Sequence, residues 1–365
     1  MNRPHTTITS TTHTLSTLLL GASMLTSACL SPESAETSAL PTNVSSSTTD
    51  TSAGTTAGTT AETTAETTAE TAAETEGTTD GGMEPTSGGI DPTAEDELLF
   101  QQALALYNAA DYAGADPLFQ QLWDTYPDSP RRDNAGYLHG RCLYSLLDFA
   151  GAGPAFQAVI IAYPVSVFID ESHYFWGRSL FRQGSFAGAL DHFNTSLSAD
   201  PAGTYADNAY YYVGRTDFEL GDDAGAQMVL ASFESKYPGS SYADNAAYYL
   251  GRARFSMSDY AGAKIAFTHV LDFVDSTYLD QGTYYLGRSE YAMGALPAAL
   301  DWFKDVVSKY AGSTYEDNAL YYEVRIYVDQ SDCPSANTVI VDLQTRFPGG
   351  TYAVKAQDYA LMGGC

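Results

Sequence analysis

Six tyrosine–arginine pairs, each four residues apart, carry the most evident chemistry of this chain: Tyr137 and Arg141, Tyr174 and Arg178, Tyr211 and Arg215, Tyr248 and Arg252, Tyr284 and Arg288, and Tyr321 and Arg325. On a helix, residues four apart share a face. A guanidinium grips a carboxylate through a two-pronged fork, and a tyrosine ring supplies contact area at small entropic cost. Three residues before each tyrosine stands a polar group: Asn134, Asn208, Asn245 and Asn318, with Glu171 and Gln281 as the exceptions. Such a face suits recognition of a partner peptide. It equally suits packing, with each arginine laid over its own tyrosine or paired to an acid on a neighbouring unit. The presence of both residues in six successive units favours packing, because a dedicated site usually differs between units. Both readings remain open at this level.

Other chemistry is sparse. His5, His13, His139, His173, His192 and His269 show no metal-ligand spacing. No nucleophile elbow, phosphate loop or His-Glu-x-x-His motif occurs, so no enzyme activity, cofactor or metal is expected. With 17 Lys+Arg against 45 Asp+Glu, the formal net charge is −28. This charge disfavours nucleic acids and anionic membrane surfaces as partners.

The elements that position the pairs follow from a repeat. Arg141, Arg178, Arg215, Arg252, Arg288 and Arg325 are spaced by 37, 37, 37, 36 and 37 residues. A column of Asp133, Asp170, Asp207, Asp244, Asp280 and Asp317 keeps the same beat, as does a column of alanines from Ala115 to Ala336. A one-residue deletion between Tyr260 and Val274 accounts for the short step. Periods of this size signal a stacked array. Each unit reads as two helices. The first is expected to open with a hydroxyl cap such as Thr204-x-x-Asp207 or Ser241-x-x-Asp244 and to stop near Gly184 or Gly221. The second begins around Ala187-Gly188-Ala189 and ends before a Tyr-Pro step. Within the run YADNAYYYVGR, Tyr211 shares the face of Arg215, Tyr210 turns toward the second helix, and Tyr212 toward a neighbouring repeat.

These columns resemble the tetratricopeptide repeat, which places Gly at position 8, Ala at 20, an aromatic at 24 and Pro at 32. Gly177, Ala189, Phe193 and Pro201 fall on those positions, as do Gly140, Ala152, Phe156 and Pro164. The resemblance covers about residues 95–365 and departs in two ways: the period is 37 rather than 34, and the aromatic expected at position 11 sits at 12. It implies an all-α fold, a right-handed α-solenoid of seven helix pairs with a capping helix near 352–363. In that family the Asn, Tyr and Arg positions line the inner groove. The extra loop residues and the Tyr-x-x-Gly-Arg text are similar to bacterial periplasmic members, among them the Tol–Pal coordinator and the lipoprotein subunit of the outer-membrane assembly machine. The chain has neither the heptads of the first nor the few repeats of the second.

The cysteines are Cys29, Cys142, Cys333 and Cys365. Cys142, inside a first helix, reads as a lone buried thiol. Cys333 and Cys365 fall near the ends of adjacent first-helix rows, and a disulfide between them would pin the last helix in an oxidising compartment. Arg3, the apolar run LSTLLLGASML and small residues before Cys29 describe a secretory signal over 1–28. A cysteine directly after the small residues makes the segment resemble a bacterial lipoprotein signal, which implies lipidation of Cys29. Leu at residue 30 then implies outer-membrane delivery, with the repeats periplasmic or surface-exposed. Residues 29–94 are a Thr/Ala/Glu-rich tether with a four-residue beat, unable to bury enough surface to order itself. About 60 such residues span on the order of 40–50 Å end to end. The expected partners are envelope proteins or peptides.

Overall fold

The computed structural model describes residues 94–365, so the 1–28 signal, Cys29 and all but the last residue of the 29–94 tether lie outside the described residues. Sixteen helical segments and no strand occur among the described residues. They form seven consecutive pairs: α1 (Glu95–Asn108) with α2 (Tyr112–Thr125), α3 (Arg132–Ser145) with α4 (Phe149–Ala162), and α5 (Ile169–Arg182) with α6 (Phe186–Ala199). Next come α7 (Ala206–Glu219) with α8 (Asp223–Leu230) and its continuation α9 (Phe233–Lys236), then α10 (Ala243–Ser256) with α11 (Tyr260–Val270). The last pairs are α12 (Leu279–Ala292) with α13 (Leu296–Lys309) and α14 (Glu316–Asp329) with α15 (Cys333–Arg346), followed by α16 (Thr351–Met362) alone. The terminal helix starts and ends one residue earlier than the expected 352–363. No helix among the described residues is long and apolar enough to cross a membrane.

Small residues set the distance within each pair. A Cβ added to Gly140 would sit 2.6 Å from the Phe156 ring, and one on Gly177 would sit 2.8 Å from Phe193. Gly287 faces Phe303 in the same way, at 2.7 Å. In the last pair Val324 replaces the glycine and Ile340 replaces the aromatic, and both are buried. The larger residue on one helix is thus met by a smaller one on the other, as close packing demands.

The hydroxyl caps expected on the first helices do not form. Helix α7 begins at Ala206 behind Tyr205, and α10 at Ala243 behind Tyr242, with no side-chain cap at either. Asp207 and its column serve a different purpose. The Ser240 hydroxyl donates to Asp207 at 2.6 Å while accepting from the Tyr242 amide, so the loop of one repeat is tied to the first helix of the one before. Ser166 does the same to Asp133 at 2.7 Å.

Side-chain caps sit instead on the second helices. Asp111, Asp148, Asp222 and Asp259 accept from the amides of Gly114, Gly151, Gly225 and Gly262 at 2.9–3.0 Å. The turn before each cap needs a left-handed residue. Gly184, Gly221 and Gly294 supply it at φ of 74°, 79° and 77°. In four other pairs Ala110, Leu147, Ser258 and Ser331 are held there, at φ between 58° and 64°. The repeat geometry overrides the local steric penalty at these four positions.

The second helix of the fourth pair breaks at Ala231-Ser232. The Ser232 hydroxyl donates to the Val229 carbonyl at 2.9 Å and pairs with the Tyr210 hydroxyl at 2.8 Å, which competes with the helix ladder. The deletion after Tyr260 shortens α11 to 11 residues.

Candidate functional site: the tyrosine–arginine row

All six pairs lie on first helices, one per repeat from the second to the seventh. The Tyr137, Tyr174, Tyr211, Tyr248 and Tyr284 side chains are buried and Tyr321 is half-buried. Arg178 and Arg215 are buried, Arg178 completely; Arg141, Arg252, Arg288 and Arg325 are half-buried. Five of the six arginines donate from Nη1 to the tyrosine hydroxyl one turn earlier: Arg141 to Tyr137 and Arg252 to Tyr248 at 2.8 Å, Arg288 to Tyr284 at 3.1 Å, Arg215 to Tyr211 at 3.4 Å, and Arg178 to Tyr174. Burial raises the hydroxyls of Tyr137 and Tyr284 above the ordinary tyrosine range, so these partners are neutral phenols. Phenol dipoles and ring faces thus meet the buried positive charge. Arg215 adds a carboxylate, Glu219, at 3.0 Å.

Five of the six guanidinium groups also lie between two rings from flanking repeats. Arg178 sits 5.6 Å from Tyr144 of the preceding repeat and 4.5 Å from Tyr212 of the next. Arg215 lies 5.4 Å from Phe181 and 3.8 Å from Tyr249, and Arg252 lies 5.2 Å from Phe218 and 5.0 Å from Tyr285. Arg288 is held by Phe255 and Tyr322, and Arg325 by Tyr291 and by Tyr359 of α16. Arg141 reaches furthest: besides lying 3.9 Å from Phe175, it donates to the Tyr205 hydroxyl at 3.1 Å, two repeats on. Desolvated contacts of this kind are worth up to about 2 kcal/mol each.

The tyrosines make a second stack that the sequence reading did not single out. Tyr137 lies parallel to Phe168 at 5.0 Å, Tyr174 to Tyr205 at 4.8 Å, and Tyr248 to Tyr278 at 4.3 Å. These second partners occupy the position just before each first helix. The signal was present as an aromatic two residues before the aspartate column: Phe168, Tyr205, Tyr242, Tyr278 and Tyr315. The amide column joins in, with Asn208 donating to Tyr174 and Asn245 to Tyr278, both at 3.3 Å.

The row therefore binds repeats to one another. A guanidinium held between two ring faces, with one edge on a phenol, has the contacts of a joint between repeats. What remains accessible is the outer edge of the half-buried arginines and of Asn134, Asn208 and Asn318. Tyr212 meets the preceding repeat, stacked on Phe193 at 5.2 Å, and Tyr210 turns to the second helix of its own repeat.

The cysteines and histidines are placed as follows. Cys142 is buried and unpaired, and burial pushes its thiol up to about 12. Cys333, the first residue of α15, is disulfide-bonded to Cys365, three residues beyond α16, with their Cα atoms 5.0 Å apart. His139 meets Asp116 at 2.7 Å, His269 lies between Glu234 and Asp272, and His173 and His192 face each other through Nδ1 at 2.9 Å. Among the described residues no three His, Cys, Asp or Glu side chains are grouped to hold a metal ion.

Residues 97–129 and 208–240 each match the family model described as Tetratricopeptide repeat. Comparison with curated proteins finds no match. Among solved structures, the chain is similar to the C-terminal part of a TPR repeat-containing protein from Cytophaga hutchinsonii, at a TM-score of 0.57 and 18% identity over 70% of this chain and 98% of that one. It is also similar to PilW, described as a widely conserved type IV pilus biogenesis factor, at a TM-score of 0.50 and 18% identity over 62% of this chain and 98% of that one. At such identities the likeness is one of fold. The paired helices and the Gly–aromatic contacts inside most pairs give this chain the fold of a tetratricopeptide-repeat array, and two of its 37-residue units match the family model directly.

Proposed function

We propose that this chain is a membrane-tethered, non-catalytic scaffold of a bacterial cell envelope, acting in the manner of the Tol–Pal and cell-division coordinator. In this reading a lipid on Cys29 anchors it, residues 29–94 space it from the membrane, and the repeats present a surface to envelope proteins. Tetratricopeptide arrays bind protein partners in general. One observation supports the scaffold most strongly: the guanidinium–ring stack runs from Tyr144 to Tyr359 and holds the first helices side by side before any partner arrives. A surface ordered in advance loses little conformational entropy on binding.

The test is capture of the full-length protein after cross-linking in cells, with fractions identified by mass spectrometry. Enrichment of Tol–Pal or division proteins supports the proposal. Recovery of β-barrel assembly proteins instead would favour a role in outer-membrane protein assembly, and retention on purified cell wall would favour peptidoglycan binding. The anchor is tested separately. Cys29→Ser should abolish lipid labelling and release the protein from membranes; unchanged labelling removes Cys29 as the lipid site.

A further inference from the structure

We infer that the uncharged turn between α4 and α5, in the second repeat, rests against the lipid bilayer and inserts its apolar side chains at the level of the headgroups. Val165 is 94% exposed, Ile161 73% and Val167 67%. Neighbouring repeats carry other residues at the same positions: Asp124 and Ser198 for Ile161, Asp128 and Ala202 for Val165, Pro130 and Thr204 for Val167. The packing of the array therefore does not require these three side chains to be apolar. The lack of charge extends well beyond them. No Asp, Glu, Lys or Arg occurs from Phe149 to Ile169, in a chain in which 17% of the residues are charged. The exposed residues Ala150, Pro154, Gln157 and Ile161 follow one another at helical spacing along α4 and lead into the turn.

The occupant follows from where the tether joins the array. Residues 29–94 lead into Glu95, the first residue of α1. Glu95 accepts from the Tyr126 hydroxyl at 3.3 Å, and Glu97 pairs with Arg131 at 2.8 Å. The next two residues hold the turn itself: Arg132 donates to the Tyr163 hydroxyl at 3.5 Å, and Asp133 accepts from the Ser166 hydroxyl at 2.7 Å. The entry of the tether and the apolar turn thus lie on one edge of the array, one repeat apart. The composition of the tether gives a span on the order of 40–50 Å, which keeps that edge close to the surface at which Cys29 is anchored.

A lipid anchor alone holds a protein weakly, and a second contact makes attachment stable. Tethering raises the local concentration of the turn at the membrane, so a few apolar side chains suffice. Charge decides which part of the chain can take this role. A chain of net charge −28 is repelled by anionic headgroups, and this stretch approaches them without a carboxylate of its own. Helix α4 has 14 residues, too few to cross a bilayer, so the contact lies at the surface. The inference rests on the reading of the chain as membrane-tethered.

The experiment couples the full-length chain through Cys29 to a maleimide-bearing lipid in phosphatidylcholine vesicles. Cys142 is buried and Cys333 is bonded to Cys365, which directs the reagent to Cys29. Diazirine groups on the lipid chains are then photolysed, and the adducts are mapped by mass spectrometry. Expected is about fivefold more adduct on residues 160–168 than on the equivalent turn 197–205, and no loss of this excess in about 0.5 M NaCl. Ile161→Asp with Val165→Asp copies the first repeat and should remove the excess. Val167→Thr copies the residue at 204 and should reduce it about twofold. If the double variant melts early, Val167→Thr decides. Equal adducts on the two turns, an excess lost in salt, or an excess undiminished in a folded variant overturns the inference. A lipid-free dimer that the two aspartates abolish would assign the turn to a second copy and overturns it as well. Chemical coupling stands in for lipidation in the cell, so failure of this contact and failure of the Cys29 anchor are read separately.

Discussion

The guanidinium carbon of Arg215 lies 3.8 Å from the ring centre of Tyr249 in the next repeat, while its Nη1 donates to Tyr211 on its own helix. One side chain thus fixes both the shape of its own helix face and the seating of its neighbour. Removing it leaves a void between two repeats and a carboxylate, Glu219, without its 3.0 Å partner. Arg215→Ala should therefore destabilise the array by about 2–4 kcal/mol, from the lost cation–ring contact and charged hydrogen bonds. Arg215→Lys keeps the charge but not the planar fork and should fall between. Urea unfolding measures both. If Arg215→Ala melts like the native protein but loses captured partners, the row is a binding surface rather than a joint.

Leu147 sits at a left-handed turn, φ 64°, in a place where other repeats use glycine. Leu147→Gly should stabilise by about 1 kcal/mol, because relief of the steric penalty outweighs the added unfolded-state entropy. Its side chain is exposed, so little packing is lost. The mirror change, Gly184→Leu, should destabilise by a similar amount. A destabilised Leu147→Gly would show that the turn carries no strain worth relieving.

The Cys333–Cys365 bond closes a segment with a sequence separation of 32 and holds the end of α16, whose Tyr359 covers Arg325 at 5.0 Å. A bond closing a loop of this length contributes about 3–4 kcal/mol in the chain-entropy model. In a repeat array the loss should stay local. Cys365→Ser should raise amide exchange throughout α16 and at Arg325, leaving α1 to α7 protected as before. Uniform loss of protection along the array would contradict this.

His173 and His192 face each other at 2.9 Å, and Trp176 stacks on His192 at 3.9 Å. Burial lowers both histidines, His192 to about 4. Their folded values lie below the unfolded one, so the unfolded chain takes up more protons on acidification. Stability from this pair is present above about pH 6.5 and is lost as pH falls toward 4. His192→Phe keeps the stacking on Trp176 and should flatten the fall in Tm between pH 7 and 5. An equal fall in the variant would place the acid sensitivity elsewhere.

The sequence alone determined the repeat and the helix pair, because the spacing of small and aromatic residues is a direct record of which residues meet inside one unit. Gly140 with Phe156 and Gly177 with Phe193 are contacts between neighbours in sequence, so a periodic text states them. It also brought Cys333 and Cys365 to adjacent rows. It misplaced the helix caps, because a serine or threonine before an aspartate has two uses. Only the packed neighbour shows that Ser240 serves Asp207 of the previous repeat, while Asp222 and its column cap the second helices. The tyrosine–arginine row was visible from the first reading, but its role was not. Whether Arg178 faces solvent or lies between Tyr144 and Tyr212 depends on how far one repeat turns against the next, and that angle is set by the sum of many contacts across the interface rather than by any residue within a unit.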